Sequence, residues 1–237
     1  MFNNRYILIY TLVMALVVSV ALAFVVNGLK PLHDINEAVF KKKDILSAIR
    51  DQIGADPLKM KDEELIRLFE EKMDKVVLDA NGKVVTGLDA ETIDLAAEEK
   101  KPSNERKYPL FIYKGDKGNI YLMSVRGNGL WDKIWGYIAL EGDFNTIAGA
   151  SFGHVAETPG LGAEIKDNAN FPNAFHGKKI YENGNYVSVQ VVKGGIKVPD
   201  HQVDAISGAT ITSNGVSEML NRGMVAYLPY FESLKKK

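Results

Sequence analysis

An apolar N-terminal run restricts the architecture of this chain more than any other feature. From Tyr6 to Val26 the sequence YILIYTLVMALVVSVALAFVV contains no charged residue. A helix of this length spans roughly 30 Å, the thickness of the hydrocarbon core of a bilayer. A cleaved signal peptide has a shorter apolar run before its small-residue cleavage site, whereas here Ala21-Leu22-Ala23 lies inside the run. We therefore predict a transmembrane anchor over residues 1–30.

The charges that flank the run leave its orientation ambiguous. Arg5 precedes the run, while Lys30 and then Lys41–Lys43 follow it. We expect the three consecutive lysines to lie on a solvated helix face rather than to contact lipid head groups. Because a long domain can cross the membrane largely regardless of its charge, we expect a cytoplasmic N-terminus and a soluble domain on the periplasmic side of a bacterial inner membrane.

Composition excludes several classes of function. The 237 residues carry a formal net charge of −1, so the chain lacks the basic field that nucleic-acid binding needs. The sequence has no cysteine, which excludes disulfides, thiolate zinc sites and thiolate-held iron–sulfur clusters in this chain. Its four histidines, His154 among them, lack HxxH or HExxH spacing, and we predict no metal site. Gly127-Asn128-Gly129 lacks the third glycine of a dinucleotide fingerprint.

Residues 31–107 predict a helical stalk followed by an insert of mixed structure. Apolar residues at helical spacing favour an amphipathic stalk helix that ends at Gly54. Its apolar face comprises Ile35, Val39, Ile45, Ile49 and Ile53. A charged helix is expected over 62–75, with its inward positions at Leu65, Leu68 and Phe69. Asn81-Gly82 between two β-rich runs predicts a hairpin, and residues 91–106 predict a helix followed by a loop.

Residues 108–237 carry a strand-rich pattern that ends in a helix. The predicted strands are PLFIYK, IYLMSV, KIWGYIAL, TIAGASFGHV and YVSVQVV. A helix is predicted over about residues 214–228, because apolar residues recur there at i, i+3, i+4 and i+7. Those residues are Val216, Met219, Leu220, Met224, Tyr227 and Leu228. The expected fold class is α+β, an antiparallel sheet packed by helices after a single transmembrane helix.

Two glycine-marked loops are the candidate chemical elements, ETPGLG at 157–162 and DAISGATITS at 204–213. In the second loop, Gly208 and Ala209 leave the backbone open to a bulky anion. The loop runs into the final helix, whose free N–H groups favour a phosphate. The alternative is that the loop only caps this helix through a side chain, that of Thr212, Ser213 or Asn214. The residues by themselves leave both interpretations open.

The second loop resembles the flavinylation motif of FMN-binding domains, Asp-x-x-(Ser/Thr)-Gly-Ala-(Ser/Thr), from Asp204 to Thr210. In that family a dedicated flavin transferase joins the phosphate of FMN to the last hydroxyl residue as a phosphoester. ETPGLG also resembles a recurrent element of these domains. Within the family, the anchor, the long segment before Tyr108 and GNGLWDKIWGYIAL are most similar to the C subunit of Na⁺-translocating NADH:quinone oxidoreductases. The G subunit of Rnf-type ferredoxin:NAD⁺ complexes shares both loops and is the alternative.

The resemblance implies a role for each loop residue. Thr210 would carry covalent FMN, and Ser207 with the backbone N–H groups of Gly208 and Ala209 would hold the other phosphate oxygens. Asp204 would assist the transferase or brace the loop, since a carboxylate repels a phosphate. The residues expected around the isoalloxazine ring are Glu157, Thr158, Gly160, Leu161, Gly162, Leu130 and Trp131. Burial of Trp131 in the core is the alternative for that residue.

The resemblance also implies an electron-carrier role for a chain that catalyses nothing alone. Its expected partners are a protein with an iron centre upstream and a second flavin-bearing membrane protein downstream, with quinone reduction and Na⁺ export elsewhere in the complex. Two other hypotheses remain: a membrane-anchored sensor or accessory protein that uses FMN as a signal, and a flavin-free scaffold module whose loop only caps a helix.

Overall fold

The fold was obtained as a computed structural model that describes residues 3–235, so the outermost ends of the expected anchor and of the expected C-terminal domain lie outside the described residues. The helices are α1 Asn4–Ser47, α2 Arg50–Ile53, α3 Asp62–Lys72, α4 Leu95–Glu98, α5 Glu164–Asp167, α6 Asn170–Asn173, α7 Thr210–Val225 and α8 Leu228–Lys235. The strands are β1 Met73–Leu78, β2 Tyr108–Gly115, β3 Gly118–Asn128, β4 Lys133–Leu140, β5 Ile147–His154, β6 Tyr181–Glu182, β7 Asn185–Tyr186, β8 Gln190–Val192 and β9 Gln202–Asp204.

The chain forms two compact units, the first ending at Lys41 and the second beginning at Lys42. Helix α1 is continuous over 44 residues and contains Pro31, so the expected division between residues 30 and 31 falls inside a helix. Within residues 3–235, α1 is the one helix long and apolar enough to cross a membrane, and its apolar window is not buried. An exposed apolar helix of this length suits lipid as its solvent.

The stalk follows the predicted pattern in part. Helix α2 ends at Gly54, as predicted, because this residue adopts a left-handed conformation (φ 72°) and donates its N–H to the carbonyl oxygen of Arg50. Ile45 and Ile49 are fully buried, but Ile35 is exposed, so the predicted apolar face is wrong at its N-terminal end. Helical periodicity shows which side of a helix is apolar, but not how far along the helix a packing partner extends.

The second unit is built on a five-stranded antiparallel sheet in the order β1-β2-β3-β4-β5, which confirms the expected fold class. Strands β2 and β3 form the predicted hairpin, with Gly115 paired to Gly118. The turn at Asn81-Gly82 also forms, and Asp79 N–H donates to the carbonyl oxygen of Lys83 at 2.9 Å. Its second arm forms a bridge from Leu78 to Val84 on the outer edge of β1, whose other edge pairs along its length with β2.

The sheet buries both of its faces. Alternate residues of β2 point to opposite sides, with Leu110 on one side and Phe111 on the other. Helices α7 and α8 cover the first face, while α3 and residues 45–49 cover the second. Helix α3 ends at Lys72, three residues before the predicted end, because the chain there enters β1. The predicted strand YVSVQVV is split, with Tyr186 in β7 and its last three residues in β8. The predicted helix in 91–106 is reduced to the short α4.

Helix α7 lies close to β3 because glycines occupy the contact points. A Cβ atom on Gly215 would lie 2.1 Å from the backbone oxygen of Asn128, and one on Gly223 would lie 2.6 Å from Val125 Cγ1. On the strand side, a Cβ on Gly127 would lie 2.7 Å from Met219 Cβ. This packing fixes the N-terminus of α7 beside the β3–β4 turn. The helix begins four residues earlier than predicted, at Thr210.

Tyr227 joins the C-terminal helices to the sheet through a buried hydroxyl group. The hydroxyl oxygen accepts from Ser124 N–H at 3.2 Å and lies 2.8 Å and 3.0 Å from the carbonyl oxygens of Ser124 and Pro109. Burial raises the pKa of this phenol.

We expect Tyr227→Phe to lower the free energy of unfolding by about 1–3 kcal/mol, because it leaves buried backbone groups unpaired. Urea unfolding of the full chain in detergent measures this loss, and the half-buried Tyr230 provides the control Tyr230→Phe. Equal stability of the two variants would contradict the assignment.

Lys42 is buried, so the expectation of a solvated lysine face is wrong at this position. Its ammonium donates to Glu70 Oε1 at 2.9 Å and to Glu91. Lys75 donates to the other oxygen of each carboxylate, at 2.8 Å for Glu70 and 2.7 Å for Glu91. The four side chains thus form a closed ion-pair ring over the Phe69 ring, whose centroid lies 4.1 Å from Lys42 Nζ.

This ion-pair ring makes stability sensitive to acid. Hydrogen bonds from Lys75 and then Lys42 lower the pKa of Glu70 below its ordinary value of 4.5. The stabilisation that the ionised Glu70 gives to the folded state is therefore complete above pH 4.5. It is lost as the pH falls through the lower pKa that Glu70 has in the folded state. Since Glu70 is half-exposed, we expect an effect below about 1 kcal/mol. Urea unfolding between pH 7 and pH 3 should show a shallower loss of stability on acidification in Glu70→Gln than in the parent. Identical slopes below pH 4.5 would contradict this role.

Candidate functional site

A pocket of about 240 Å³ lies where the two glycine-marked loops meet the β3–β4 turn. It is lined by Leu130, Glu157, Thr158, Leu161, Gly162, Gly208, Ala209, Thr210, Ile211 and Thr212. Eight of these ten residues belong to the set selected from the sequence. The structure therefore brings together three segments that are far apart along the chain.

The first turn of α7 forms one wall of the pocket. Ala209 is the N-cap residue, and no side chain caps the helix. The first helical hydrogen bond runs from Ser213 N–H to the carbonyl oxygen of Ala209 at 2.9 Å, so the N–H groups of residues 210–212 have no acceptor within the helix. Capping by Thr212, Ser213 or Asn214, the alternative drawn from the sequence, is wrong, because all three residues lie inside α7.

The hydroxyl groups of the second loop differ in accessibility. Thr210 and Ser207 are exposed, whereas Thr212 and Ser213 are each about 1% exposed. Thr212 Oγ1 donates to Glu157 Oε2 at 2.5 Å, and Ser213 Oγ accepts from Ile206 N–H at 3.2 Å. Of these four residues, Thr210 is the exposed one that lines the pocket.

The two loops touch at Gly208. Its φ of 78° is a left-handed conformation that glycine adopts without strain. A Cβ at this position would also lie 2.7 Å from Leu161 Cδ2. The backbone conformation therefore favours glycine here, and any larger residue would also displace the end of the Leu161 side chain.

Glu157 is a buried carboxylate at the base of the pocket. Its Oε1 accepts from Trp131 N–H at 2.9 Å, and its Oε2 accepts from the Thr212 hydroxyl. The backbone N–H of Glu157 donates to His154 Nδ1 at 3.2 Å. His154, which the sequence does not predict to bind a metal, therefore supports this loop. The carboxylate thus connects the β3–β4 turn, the first loop and α7.

Trp131 lies beside the pocket, next to Leu130, but does not line it. The residue is 68% exposed, and its Nε1 donates to Thr158 Oγ1 at 3.1 Å. Burial in the core, the alternative drawn from the sequence, is therefore wrong for this residue. Leu130 beside it is also exposed. The mouth of the pocket thus carries large apolar side chains that face solvent.

Three of the selected residues lie on a neighbouring cavity instead. Gly160, Asp204 and Ser207 line a space that they share with Glu164 and Lys178. The second loop separates this cavity from the pocket, since its residues 204–207 face one space and residues 208–212 the other. The sequence missed Ile211 and Thr212 as pocket residues. The hydroxyl of Thr212, assigned there to helix capping, was the available signal.

Comparisons with known proteins agree with this geometry. Residues 129–225 match the family model of the FMN-binding domain, a range that includes all three segments of the pocket. The C subunit of the Na(+)-translocating NADH-quinone reductase of Neisseria meningitidis serogroup B is 33% identical over 96% of this chain and 93% of its own. The chain belongs to this family of reductase C subunits. The corresponding protein of Pasteurella multocida is 30% identical, with 99% of this chain and 97% of that chain covered.

Solved structures from this family share the fold. The crystal structure of the C subunit from Parabacteroides distasonis superposes with a TM-score of 0.75 at 39% identity, covering 86% of this chain and 96% of that chain. NqrC from Shewanella oneidensis gives a TM-score of 0.70 at 27% identity, with 83% and 99% covered. As a member of this family, the chain is an FMN electron-carrier subunit of a membrane oxidoreductase complex.

Proposed function

We propose that this protein carries FMN as a phosphoester on Thr210 and passes electrons through it toward quinone. The observation that supports this most strongly is the position of Thr210. This residue is exposed, it is the first residue of an uncapped helix, and it lines the pocket that both loops form. The free N–H groups and the positive end of the helix dipole suit a phosphate at this point.

The residues around Thr210 fit the phosphate end of the cofactor. Gly208 carries no side chain, so that phosphate oxygens can reach its backbone N–H group. The Ala209 N–H, by contrast, already donates to the carbonyl oxygen of Ile206 at 3.1 Å. Ser207 and Asp204 lie on the neighbouring cavity. We assign both residues to supporting the loop and presenting it to a flavin transferase during maturation, because Ser207 faces the cavity on the other side of the loop from the pocket that Thr210 lines.

The pocket also fits the ring end of the cofactor. When bound, FMN supplies one-electron and two-electron redox chemistry. The pocket volume is below the range of about 300–1,000 Å³ that is usual for enclosed ligand sites, so the ring would be held on one side and remain accessible on the other. Leu130, Trp131 and Leu161 supply apolar contact to the ring. An accessible ring suits a carrier that exchanges electrons with neighbouring proteins of the complex.

We further propose a single-pass topology in a bacterial inner membrane. Helix α1 would cross the bilayer with its N-terminus in the cytoplasm, and the FMN-binding domain, residues 108–237, would lie on the periplasmic side. Residues 31–107 would form the stalk and insert between them. The assigned partners are a protein with an iron centre and a second flavin-bearing membrane protein. Membership of the reductase family favours this complex over an Rnf-type complex.

Affinity purification of the tagged full chain from native membranes tests the assignment to a complex. We expect the other proteins of the reductase to co-purify in detergent, together with flavin that stays with this chain after denaturation. A matched preparation truncated before Lys42 retains the domain but lacks the anchor, and its recovery in the soluble fraction would locate the membrane attachment in α1. Recovery of the full chain alone and without flavin would contradict the proposal, as would a denatured chain whose flavin is washed away.

A further inference from the structure

We infer that Glu157 is a positioning residue that holds the cofactor pocket together, and that its negative charge lowers the redox potential of the bound flavin. The charge component rests on the proposed function, whereas the positioning component can be tested without flavin. Both follow from the place of one buried carboxylate.

The carboxylate connects three segments that are far apart along the chain. Its Oε1 holds the backbone of the β3–β4 turn at Trp131, and its Oε2 holds α7 at Thr212. Thr212 lies two residues after Thr210, in the same helical turn. The proposed attachment site and the mouth of the pocket are therefore linked through a single side chain.

The surrounding backbone is shaped to this carboxylate. A Cβ on Gly162 would lie 2.1 Å from Glu157 Oε2, and a Cβ on Gly129 would lie 2.4 Å from Oε1. Both glycines have φ values outside the left-handed region, so backbone conformation does not demand glycine at either position. The requirement is for space, and the carboxylate occupies that space. A side chain enclosed in this way has little freedom to rotate, which is what a positioning role needs.

The charge of Glu157 is not neutralised by a neighbouring cation. Its donors are a backbone N–H group and a hydroxyl group, both neutral, and in residues 3–235 no lysine or arginine forms an ion pair with it. The side chain is 5% exposed, so water screens it weakly. A fixed negative charge beside the pocket opposes the addition of electrons to a bound flavin, which lowers the midpoint potential.

Two substitutions separate the positioning role from the charge. Glu157→Gln keeps the shape and an acceptor for Trp131 N–H, while Thr212 can accept from the new amide. Glu157→Ala removes both links. Glu141→Gln is the matched control, because Glu141 is exposed just after the opposite end of β4.

Amide hydrogen exchange of the full-length, flavin-free chain in detergent tests the positioning role of Glu157. We expect Glu157→Ala to speed exchange of the Trp131 amide about tenfold, which corresponds to the loss of one net hydrogen bond. Glu157→Gln should restore protection to near the parent level. Unchanged exchange in Glu157→Ala would overturn the positioning role.

A redox titration of the flavin-loaded full chain measures the midpoint potential and so tests the effect of the Glu157 charge. We expect a positive shift of the midpoint potential in Glu157→Gln and no shift in Glu141→Gln. An unchanged potential in Glu157→Gln, in a protein that does carry flavin, would overturn the charge component. A parent chain without flavin would instead contradict the proposed function, and the exchange experiment would still decide the positioning role.

Discussion

The Thr210→Ala variant should show no flavin fluorescence in a denaturing gel, while the parent chain fluoresces under ultraviolet light. The loss should be complete, because the alanine side chain has no oxygen to form a phosphoester. The other hydroxyl groups of this helical turn do not offer a substitute, since Thr212 and Ser213 are buried and hydrogen-bonded. Both chains must be expressed with a flavin transferase present.

Thr210→Ser is the matched variant for this experiment. It retains a hydroxyl group at the start of α7, so fluorescence should be retained or only reduced. Both variants should unfold at nearly the same denaturant concentration as the parent, because Thr210 is exposed. Fluorescence that persists in Thr210→Ala would show that the flavin is attached elsewhere, and Ser207, the other exposed hydroxyl of the loop, would become the next residue to test.

Gly215→Ala should destabilise the domain, although replacing glycine by alanine inside a helix is ordinarily stabilising by up to about 1 kcal/mol. The new Cβ would lie 2.1 Å from the backbone oxygen of Asn128, and neither backbone can move without disturbing the packing of α7 on β3. We expect a loss of about 2–3 kcal/mol, which lowers the Tm by about 5–10 °C for a domain of this size. Thermal unfolding of the flavin-free chain measures the loss.

Two substitutions in the same helix provide the comparison for Gly215→Ala. Asn214→Ala adds alanine at the neighbouring exposed position and should leave the Tm near that of the parent. Gly223→Ala should have an intermediate effect, since its Cβ would lie 2.6 Å from Val125 Cγ1 and 2.9 Å from Val125 Cβ, which are side-chain rather than backbone atoms. In Gly215→Ala the displaced helix should also reduce flavin incorporation at Thr210. A Tm at or above that of the parent would contradict the close approach of α7 to β3.

Local patterns in the sequence predicted much of the sheet for identifiable reasons, whereas the family resemblance implied the residues of the pocket. The hairpin of β2 and β3 was predictable because two β-rich runs flank a short turn, and the buried stripe of α7 followed from its 3.6-residue period. The missing side chain at Gly208 predicted a backbone open to an anion, and its positive φ is one that few other residues reach without strain. Such features depend on the residues next to them in the chain.

Features that depend on distant contacts were not predictable in the same way. The start of α7 at Thr210 rather than Asn214 depends on packing against β3, and no local pattern carries that information. The separation of residues 204–207 from residues 208–212 onto two cavities depends on where ETPGLG lies in space. The role of Lys42 was missed because Glu70 and Glu91, its partners, are far along the chain. Long-range pairing decides these features.

The mass of the peptide that contains Thr210, prepared from chain purified from native membranes, is the most direct measurement. The proposal predicts an added mass equal to FMN less one water, with fragmentation placing it on Thr210. A peptide with the unmodified mass, or a flavin located on another residue, would contradict the attachment.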